Sequence, residues 1–514
     1  MKIAILSTDG GGGGAPRAMQ RLSNGLSARG HQVDVIQLTR SHILPNSVVV
    51  EAEERTPDDD ACARFVDGDY ITTRRTNVSN TFFSFQTRGF DVSQMIANED
   101  YDVVNIHWSN FLLNPETTTP LVALGKPVVF TLHDMGPFTG GCHYSGGCDG
   151  FERDCAPCPQ INDDFLAMAP ALIAAKRRSY RHANVAAVAP SQWLADCAAR
   201  SGVFEPGSVR RISNSLETDC FQPADKAEAR RALGLDPARR YILFGANYTN
   251  ELRKGFSLLI EAIERMKRMS FAVADGSEDR LGLLMFGQAT PEVQSLGIPA
   301  TSFGFISDDA QLATIYNAAD LLILPSLEDN QPNVMMEAMA AGVPVVAFAV
   351  GGMKDMIRDG VNGRLVAPGD VGALAEAIRS LVEAPTRAAE MGAVARKDIL
   401  AEATLDRQAA SYETLFETLL GTRPAASGPN RPPARSPLRL PEHVAPRVAT
   451  IEVRTERDRF VSERAAEEAR GAAARAEAER LMHEAAARPR GLLARVTKVR
   501  RKIGRVLTGK SRRG

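Results

Sequence analysis

Two acidic side chains at a fixed spacing are the strongest candidates for chemistry in this sequence. In "PSLEDNQPNVMMEAMAAGVPVV", residues 325–346, Asp329 precedes Glu337 by eight positions. The apolar run before this stretch predicts a buried strand, and the run after Pro332 predicts a helix. Ligands of parallel sheets bind where strands end, so both carboxylates can flank one ligand there. The alternative is a capped helix with solvated acids.

Groups that suit a nucleoside diphosphate surround the same position. Free amides near Asn333 and Val334 lie at the predicted helix N-terminus, where the helix dipole favours an anion. Glu337, one turn into that helix, is placed to accept hydrogen bonds from the two hydroxyls of a ribose. In "FGANYTNELRKGFSLLIEAIE", Arg253 and Lys254 stand beside another helix start, and two fixed cations suit a diphosphate. A surface Arg-Lys pair is the alternative.

Four of the seven cysteines fall within seventeen positions of the stretch "FTLHDMGPFTGGCHYSGGCDGFERDCAPCP". Five, six and two residues separate them, and the final Cys-x-x-Cys is common in tetrahedral zinc sites. A metal would also give a glycine-rich loop a reason to fold. Structural zinc is the favoured interpretation, and reduced thiols, an iron–sulfur cluster and disulfides stay open. The four residues are Cys142, Cys148, Cys155 and Cys158. The other cysteines, Cys62, Cys197 and Cys220, are interpreted as packing residues.

Histidines end two further predicted strands. His133 and Asp134 close "KPVVFTLHD", and His107 and Trp108 follow "YDVVNI". A neutral histidine at a strand end can hydrogen-bond a hydroxyl of a ligand, whereas a histidine satisfied within its own loop is the alternative. We interpret His107 and Trp108 as residues of the acceptor side of a cleft.

A glycine run follows the first predicted strand. Gly12, Gly13 and Gly14 precede a predicted helix, and glycine lets main-chain amides approach a phosphate or sugar closely. The run is not a dinucleotide fingerprint, because no G-x-G-x-x-G with a correctly spaced acid is present. A flexible turn without ligand contact is the alternative.

The elements that must position these residues are those of an α/β protein. Short β-branched runs such as "KIAILST" and "DLLILPS" alternate with helical segments, and their continuous hydrophobicity indicates parallel strands covered on both faces. The pattern predicts two doubly wound, Rossmann-like domains, 1–214 and 215–421. A Pro-rich linker at 422–449, a charged helix at 450–487 and a basic amphipathic tail at 488–514 are expected to follow.

With these motifs in place, residues 1 to about 420 resemble the retaining glycosyltransferases of family 4. The motifs that carry the resemblance are "GGGGAPRAMQRLSNGLSARGHQVDVI", "HWSNFL", "TLHDMGPFTGGCHYSGGC", "VAPSQWL", "RKGFSLLIEAI" and "PSLEDNQPNVMMEAMAAGVPVVA". The resemblance implies the GT-B fold, two Rossmann-like domains facing a cleft. It is closest to the branch that makes bacterial exopolysaccharide, capsule or lipopolysaccharide glycans and has a cysteine cluster after its His-Asp motif.

The resemblance also implies roles in the second domain. Asp329 and Glu337 match the family's two acids, and the residue matching Glu337 binds the nucleotide ribose. The residue matching Lys254 binds the diphosphate. Glu328 lies one position too far to be the first acid and, with Asn330, is expected to contact the donor.

Two further implications concern strand ends. Gly245 ends the first strand of the second domain, and the arginine that many members have next is Ala246 here. Neutralisation of the leaving group would then depend more on Arg253 and Lys254. The residue matching His133 lines the reaction centre, so His133, Asp134 and Asp329 are the predicted catalytic residues.

The implied activity is transfer of a sugar from a nucleoside-diphosphate donor, of UDP or GDP type, to a glycan or lipid-linked glycan with retention of configuration. A front-face mechanism needs no enzymic nucleophile, because the leaving phosphate takes the acceptor proton. Replacing Glu337 or Lys254 by alanine is expected to abolish transfer and leave the fold intact. The only D-x-D, at 67–69, is interpreted as surface loop, and no catalytic metal is expected. A nucleotide-sugar epimerase and a noncatalytic scaffold are the alternatives.

Charge distribution suggests where the protein acts. Residues 488–514 contain eleven Lys or Arg and no acid, so a net charge of −1 for the chain leaves −12 on the rest. Apolar residues recur there at helical spacing, which predicts a helix on an anionic membrane surface. The tail has no aromatic residue for base stacking, so nucleic acid is not an expected partner. Without a recognisable signal peptide or spanning segment, a cytoplasmic protein on the inner face of the plasma membrane is expected, with a possible homodimer through 450–487.

Overall fold

Two parallel β-sheets form the framework of the protein. The computed structural model describes residues 1–8, 13–38, 47–50, 65–246, 250–268, 281–287 and 296–421. The predicted linker, charged helix and basic tail therefore lie outside the described residues, as do Gly12 and Cys62. All described residues belong to one compact unit.

The first sheet has seven parallel strands in the order β3-β2-β1-β4-β5-β6-β7. The second has six parallel strands in the order β10-β9-β8-β11-β12-β13. The strands are β1 Lys2–Ser7, β2 Gln32–Gln37, β3 Val48–Val49, β4 Val103–Ile106, β5 Val128–Thr131, β6 Val185–Ala189, β7 Val209–Arg211, β8 Arg240–Ala246, β9 Leu281–Gly287, β10 Ala300–Ser302, β11 Leu321–Leu324, β12 Val345–Phe348 and β13 Gly363–Val366.

Helices connect the strands, as right-handed crossovers between parallel strands require. They are α1 Gly14–Ala28, α2 Ile71–Arg74, α3 Ser93–Asn98, α4 Pro115–Ala123, α5 Met168–Tyr180, α6 Gln192–Arg200, α7 Lys226–Ala232, α8 Phe256–Arg268, α9 Asp309–Ala318, α10 Asn333–Ala340, α11 Met353–Met356, α12 Val371–Val382, α13 Pro385–Glu402 and α14 Leu405–Gly421. The prediction of two Rossmann-like domains is confirmed.

Continuous apolar strands produce the cores. All four residues of β4, β5, β11 and β12 are buried. The second sheet packs a hydrophobic cluster on each face, as expected for a sheet covered by helices on both sides. No helix among the described residues combines the length and apolar character needed to cross a membrane.

Two sequence expectations differ from the structure. The predicted second domain ends at residue 421, yet Tyr412 and Phe416 of α14 pack into the first-domain core with Ile3 and Ile5. The apolar face of α14 therefore packs on the first domain, although α14 follows the second domain in the sequence. The tripeptide at 67–69 lies in a wide helical turn, Phe65–Tyr70, and not in a loop.

Candidate functional site

The predicted site residues lie where strand order reverses in each sheet. In the first sheet the reversal falls between β1 and β4, and in the second between β8 and β11. The glycine turn follows β1, His107 follows β4, and the loop with Asp329 follows β11. Open α/β sheets bind ligands in the crevice at the carboxyl ends of such strands.

Asp329 is the centre of a charged cluster on the second domain. Its Oδ2 accepts a hydrogen bond from Lys254 Nζ at 2.7 Å, and its Oδ1 lies 3.2 Å from Arg253 Nη1. Burial alone would raise the pKa of Asp329, but the charges of Lys254 and Arg253 hold it below its usual value. Burial, with repulsion from Arg253, lowers the pKa of Lys254. The structure therefore brings together the predicted acid and both predicted cations.

Glu337 is fully buried on α10 and contacts the first domain. Its Oε1 accepts a bond from Arg21 Nη2 at 2.9 Å, and its Oε2 accepts one from Tyr316 Oη at 2.9 Å. Arg21 is itself 1% exposed and donates from Nε to Glu217 at 2.8 Å. A carboxylate accepts about four hydrogen bonds, so Glu337 retains acceptor capacity for a ribose.

The arginines of α1 were missed by sequence reasoning. Arg17 and Arg21 are one helical turn apart, so they share a face of α1. Arg17 Nε lies 3.7 Å from Glu337 Oε1, and its guanidinium also pairs with Asp309. The signal was present in the i, i+4 arginines directly after the glycine run.

Asn330 joins the second-domain loop to the first domain. Its Nδ2 donates to the main-chain oxygen of His133 at 3.2 Å, and its Oδ1 accepts from Ser191 Oγ at 2.6 Å. Gly352 packs tightly on this loop, because a Cβ there would lie 1.9 Å from the main-chain oxygen of Asn330. Asn330 thus fixes the position of His133 relative to Asp329.

Hydrogen bonds fix the tautomer of His133. Asn105 Nδ2 donates to the main-chain oxygen of Val129 at 2.8 Å, so Asn105 Oδ1 must accept from His107 Nε2 at 3.0 Å. In the neutral ring, His107 Nδ1 then accepts from His133 Nε2, 2.9 Å away. Burial lowers the pKa of His133 to about 4. His133 is therefore neutral near pH 7, with Nδ1 as the acceptor of its ring.

Asp134 is held within its own loop. Its Oδ2 lies 2.7 Å from His143 Nδ1, and its Oδ1 accepts from the Gly136 amide at 2.8 Å. Burial opposes ionisation, but His143 keeps the pKa of Asp134 below its usual value. These contacts favour a role for Asp134 in ordering the loop, although it was predicted as catalytic.

The predicted glycines lie in different parts of the structure and for different reasons. Gly14 begins α1, and its main-chain oxygen accepts from Asn333 Nδ2 at 3.1 Å, so the glycine turn touches the start of α10. Gly13 has φ of 118°, a conformation that favours glycine. A Cβ on Gly245 would lie 2.0 Å from the Phe286 ring, so packing explains this glycine. Val334 is half-buried on α10.

The cysteine loop contacts the acidic loop directly. The Ser145 and Gly146 amides donate to the Glu328 carboxylate at 3.2 and 2.8 Å. The Tyr144 ring lies 4.1 Å from the Arg253 guanidinium carbon. Sequence reasoning placed Glu328 at the donor and did not foresee these contacts, which depend on how two distant loops meet.

The four clustered cysteines line one cavity of about 20 Å³. They are free thiols, and burial raises the pKa of Cys155 to about 11. Among the residues that the structure describes, no three His, Cys, Asp or Glu are grouped so as to hold a metal ion. The predicted single zinc site thus has no support from this geometry. Cys197 is buried, and Cys220 packs against a core cluster.

Each of the two domains matches a model of a known protein family. Residues 12–219 match the model of "Glycosyltransferase Family 4", and residues 239–384 match that of "Glycosyl transferases group 1". Both domains are therefore similar to glycosyltransferases, and the two-sheet architecture is of the GT-B type.

Particular relatives match the chain in part. It is 34% identical over 196 residues to D-inositol 3-phosphate glycosyltransferase 2 of Catenulispora acidiphila, covering 37% of this chain and 45% of that protein. It is 33% identical over 184 residues to D-inositol 3-phosphate glycosyltransferase of Mycobacterium tuberculosis, covering 35% and 37%. The matches thus span less than half the length of either relative.

Solved structures match over both domains. Sucrose-phosphate synthase from Thermosynechococcus elongatus has a TM-score of 0.57 at 20% identity, covering 82% of this chain and 99% of that one. Anabaena HepE in complex with UDP has a TM-score of 0.57 at 17% identity, covering 81% and 100%. WaaG, a glycosyltransferase involved in lipopolysaccharide biosynthesis, has a TM-score of 0.55 at 16% identity, covering 82% and 100%. At such identities the likeness shows the fold alone.

Proposed function

We propose that the protein transfers a sugar from a nucleoside-diphosphate donor to a hydroxyl of a glycan or lipid-linked glycan, with retention of configuration. The observation that carries the proposal is the Lys254, Arg253 and Asp329 cluster at the carboxyl end of the second sheet, in contact through Asn330 with His133 of the first. The matched relatives are named as glycosyltransferases, and one solved relative is titled as a complex with UDP.

The chemical roles follow from charge. Lys254 and Arg253, with the N-terminus of α10, bind the diphosphate and stabilise the charge that develops as the sugar bond breaks. Glu337 binds the ribose hydroxyls through its remaining lone pairs. Neither role requires a bound metal, because the protein's own cations neutralise the leaving group.

The acceptor side contributes orientation. His133 is neutral, and its Nδ1 accepts a hydrogen bond from a sugar hydroxyl. Retention is explained by a front-face mechanism: the acceptor oxygen attacks the anomeric carbon on the face from which the diphosphate leaves, and a leaving-phosphate oxygen takes the acceptor proton. Catalysis then depends on positioning and electrostatics.

A product assay and a binding assay test this function. The purified chain is incubated with UDP-, GDP- and ADP-sugars and an acceptor glycan, and the anomeric configuration of the product is read by NMR. Thermal shifts with UDP, GDP and ADP identify the base, since a ligand of the native state raises its stability. Conversion of donor without acceptor would favour the epimerase, and no binding of any nucleotide would favour the scaffold.

We also propose that the basic tail holds the enzyme at the cytoplasmic face of an anionic membrane, where a cell-surface polysaccharide precursor would be extended. The support is the eleven Lys or Arg of residues 488–514, each contributing about 1 kcal/mol near anionic lipid. Vesicle flotation tests it: the full chain should float with anionic but not neutral vesicles, and a chain ending at Ala487 should float with neither. Equal flotation of the two chains with anionic vesicles would contradict the tail's role.

A further inference from the structure

We propose that three aromatic side chains beside the first-domain histidines bind a neutral sugar ring of the acceptor. The three side chains, which we call the aromatic platform, are Phe82, Trp108 and Phe111. The inference rests on the proposed transfer to a glycan and adds the chemistry of the acceptor: a neutral pyranose whose apolar face lies on aromatic rings while one of its hydroxyls reaches His133.

The rings of the aromatic platform contact one another without stacking. The Phe82 ring centroid lies 5.9 Å from that of Trp108 and 6.1 Å from that of Phe111, and the Trp108 and Phe111 centroids are 6.5 Å apart. The ring planes of these pairs meet at 51°, 65° and 71°, so within the platform no ring face is covered by a parallel ring. Phe82 is 44% exposed, and Trp108 and Phe111 are half-buried. The platform therefore offers aromatic surface to a ligand.

Trp108 places the platform next to the predicted reaction centre. It directly follows His107, whose Nδ1 lies 2.9 Å from His133 Nε2. The His107 and His133 ring centroids are 5.1 Å apart. A ligand on the Trp108 side of this pair is thus close to the free acceptor nitrogen of His133.

Phe82 lies at the cleft between the two domains. Asn80, two residues earlier, donates from Nδ2 to the main-chain oxygen of Asn250 at 2.6 Å. Asn80 Oδ1 accepts from the Leu252 amide at 2.8 Å. Asn250 and Leu252 belong to the second-domain segment between β8 and α8, which also carries Lys254. The exposed face of Phe82 therefore lies where an acceptor must enter.

A buried histidine connects the platform to the loop of His133. The His143 ring centroid lies 4.8 Å from that of Phe82. His143 Nε2 lies 3.1 Å from Asn110 Nδ2, and His143 Nδ1 lies 2.7 Å from Asp134 Oδ2. Because Asp134 directly follows His133, these bonds fix the platform relative to the reaction centre.

Phe111 has a backbone conformation that a bulky residue rarely adopts. Its φ is 70°, in the left-handed region. The turn is held there by main-chain bonds from Leu112 and Leu113 to the Ser109 oxygen at 3.1 and 2.9 Å. Such strained residues cluster at ligand sites, where the surrounding structure holds them in place. An aromatic residue retained at this position supports a binding role.

The chemistry of the surface selects a neutral sugar. An aromatic face is electron-rich, so it attracts the slightly positive C–H hydrogens on one face of a pyranose and repels an anionic group. The hydroxyls at the edge of the same ring stay free for hydrogen bonds, one of them to the acceptor nitrogen of His133. An acyclic polyol has no rigid apolar face and gains less from the platform.

Tryptophan fluorescence tests the site without requiring transfer. The chain has two tryptophans, Trp108 and Trp193, so Trp193→Phe leaves Trp108 as the single indole and keeps a ring against Tyr144. The full chain with this substitution is titrated with the methyl pyranosides of glucose, galactose, mannose and N-acetylglucosamine. We expect at least one of them to change the Trp108 emission saturably and sorbitol to leave it unchanged. No change with any pyranoside, or an equal change with sorbitol, would overturn the proposal.

Two further probes separate the sugar from other apolar ligands. Octanol represents a lipid chain, and uridine represents the base of a donor. An emission change with octanol as large as that with the pyranosides would assign the platform to a lipid. An equal change with uridine would assign it to the donor nucleotide, and either result would overturn the proposal.

Matched phenylalanine variants test the platform itself. In the Trp193→Phe background, Phe82→Ala should weaken pyranoside binding about two- to tenfold, and Phe82→Tyr, which keeps the ring, should restore it. The control is Phe165→Ala: Phe165 is 52% exposed, but its ring packs on Tyr70, so binding should be unchanged. Circular dichroism monitors folding. Equal affinity of Phe82→Ala and Phe165→Ala would overturn the assignment of Phe82.

Kinetics with the wild-type tryptophans complete the test. Phe82→Ala should raise the KM for the acceptor and leave the KM for the donor unchanged, because the platform contacts only the acceptor. An increase in the donor KM alone would contradict the site. Thermal shifts with UDP measure donor binding separately, so loss of sugar binding with donor binding retained defeats this inference and leaves the proposed function standing.

Discussion

The two sides of the cleft use different chemistry. On the second domain, Asp329, Lys254 and Arg253 form an ion-paired cluster, and Glu337 pairs with Arg21. On the first, the His133 and His107 rings are neutral and joined by one hydrogen bond. Formal charge thus collects where a diphosphate would leave. The two histidine rings at the ends of the first-domain strands are neutral, and the ionised Asp134 beside them is paired with His143 within its own loop. The comparison suggests that one domain stabilises charge and the other controls orientation.

The largest expected effect comes from breaking the buried pair that joins the two sides. Glu337→Ala leaves Arg21, which is 1% exposed, with only Glu217 as a carboxylate partner. Removing one partner of a buried pair costs up to about 3–5 kcal/mol when the charge left behind has no other partner, and the remaining Glu217 contact should keep the cost at or below the lower end of that range. The sequence-based expectation that this variant keeps its fold intact is therefore revised: we expect lower stability together with loss of transfer.

Urea unfolding measures that change. Glu376→Ala on α12, which removes an exposed partner of Arg379, is the control and should change stability by less than about 1 kcal/mol. Equal unfolding midpoints for wild type and Glu337→Ala would show that Arg21 does not depend on Glu337.

The second prediction tests the charged side in catalysis. Lys254→Ala should lower kcat about 10²–10³-fold, because a preorganised cation at the leaving group is lost. The control is Lys267→Ala, which removes a cation that is paired with Glu264 on α8. This variant should retain wild-type kcat. A kcat for Lys254→Ala within a factor of two of wild type would remove Lys254 from the mechanism.

The third prediction tests the neutral side through pH. Burial lowers the pKa of His133 to about 4, whereas an unfolded histidine titrates near 6.5. Between these values the unfolded chain binds more protons, so stability falls as pH falls from about 6.5 to about 4, by up to about 3 kcal/mol from this group. Above pH 6.5 no further gain from it is expected.

His133→Gln should make that part of the stability profile less steep, measured by urea unfolding from pH 7 to 4.5. Some slope should remain, because burial also lowers the pKa of the neighbouring His107. The control is His182→Gln, since His182 is exposed and should leave the slope unchanged. If His133→Gln unfolds with the wild-type pH dependence, His133 is not the group that resists protonation.

Sequence and structure agree most where local pattern decides position. The strand before residue 325 and the helix after Pro332 could be read from buried and amphipathic runs, so the positions of Asp329 after β11 and of Glu337 on α10 were predicted correctly. The motifs at strand ends were predictable because parallel strands bring their carboxyl ends to one edge.

What could not be predicted depends on contacts between distant segments. Arg21 reaches Glu337 across 316 positions, and Ser191 reaches Asn330 across 139. Nothing in the local pattern of either arginine or serine indicates its partner. The same holds for α14, whose apolar face fits the first-domain core only because the chain returns there.

The smallest effect is expected at a contact between the two domains. Tyr144 of the cysteine loop stacks on Arg253 at 4.1 Å, while its hydroxyl lies 3.4 Å from Asp329 Oδ1, a long hydrogen bond. A cation–π contact of about 0.5–2 kcal/mol orients Arg253 more than the hydroxyl does. Tyr144→Ala should therefore lower kcat/KM by about twofold to thirtyfold, the fold-change that corresponds to this energy, because Arg253 loses the surface that aligns it with the diphosphate. Tyr144→Phe keeps the ring and should remain within about twofold of wild type. Steady-state kinetics with the donor concentration varied distinguish the two variants. If Tyr144→Phe is as impaired as Tyr144→Ala, the effect belongs to the hydroxyl and its bond to Asp329. The first domain would then be a direct partner of the charged cluster.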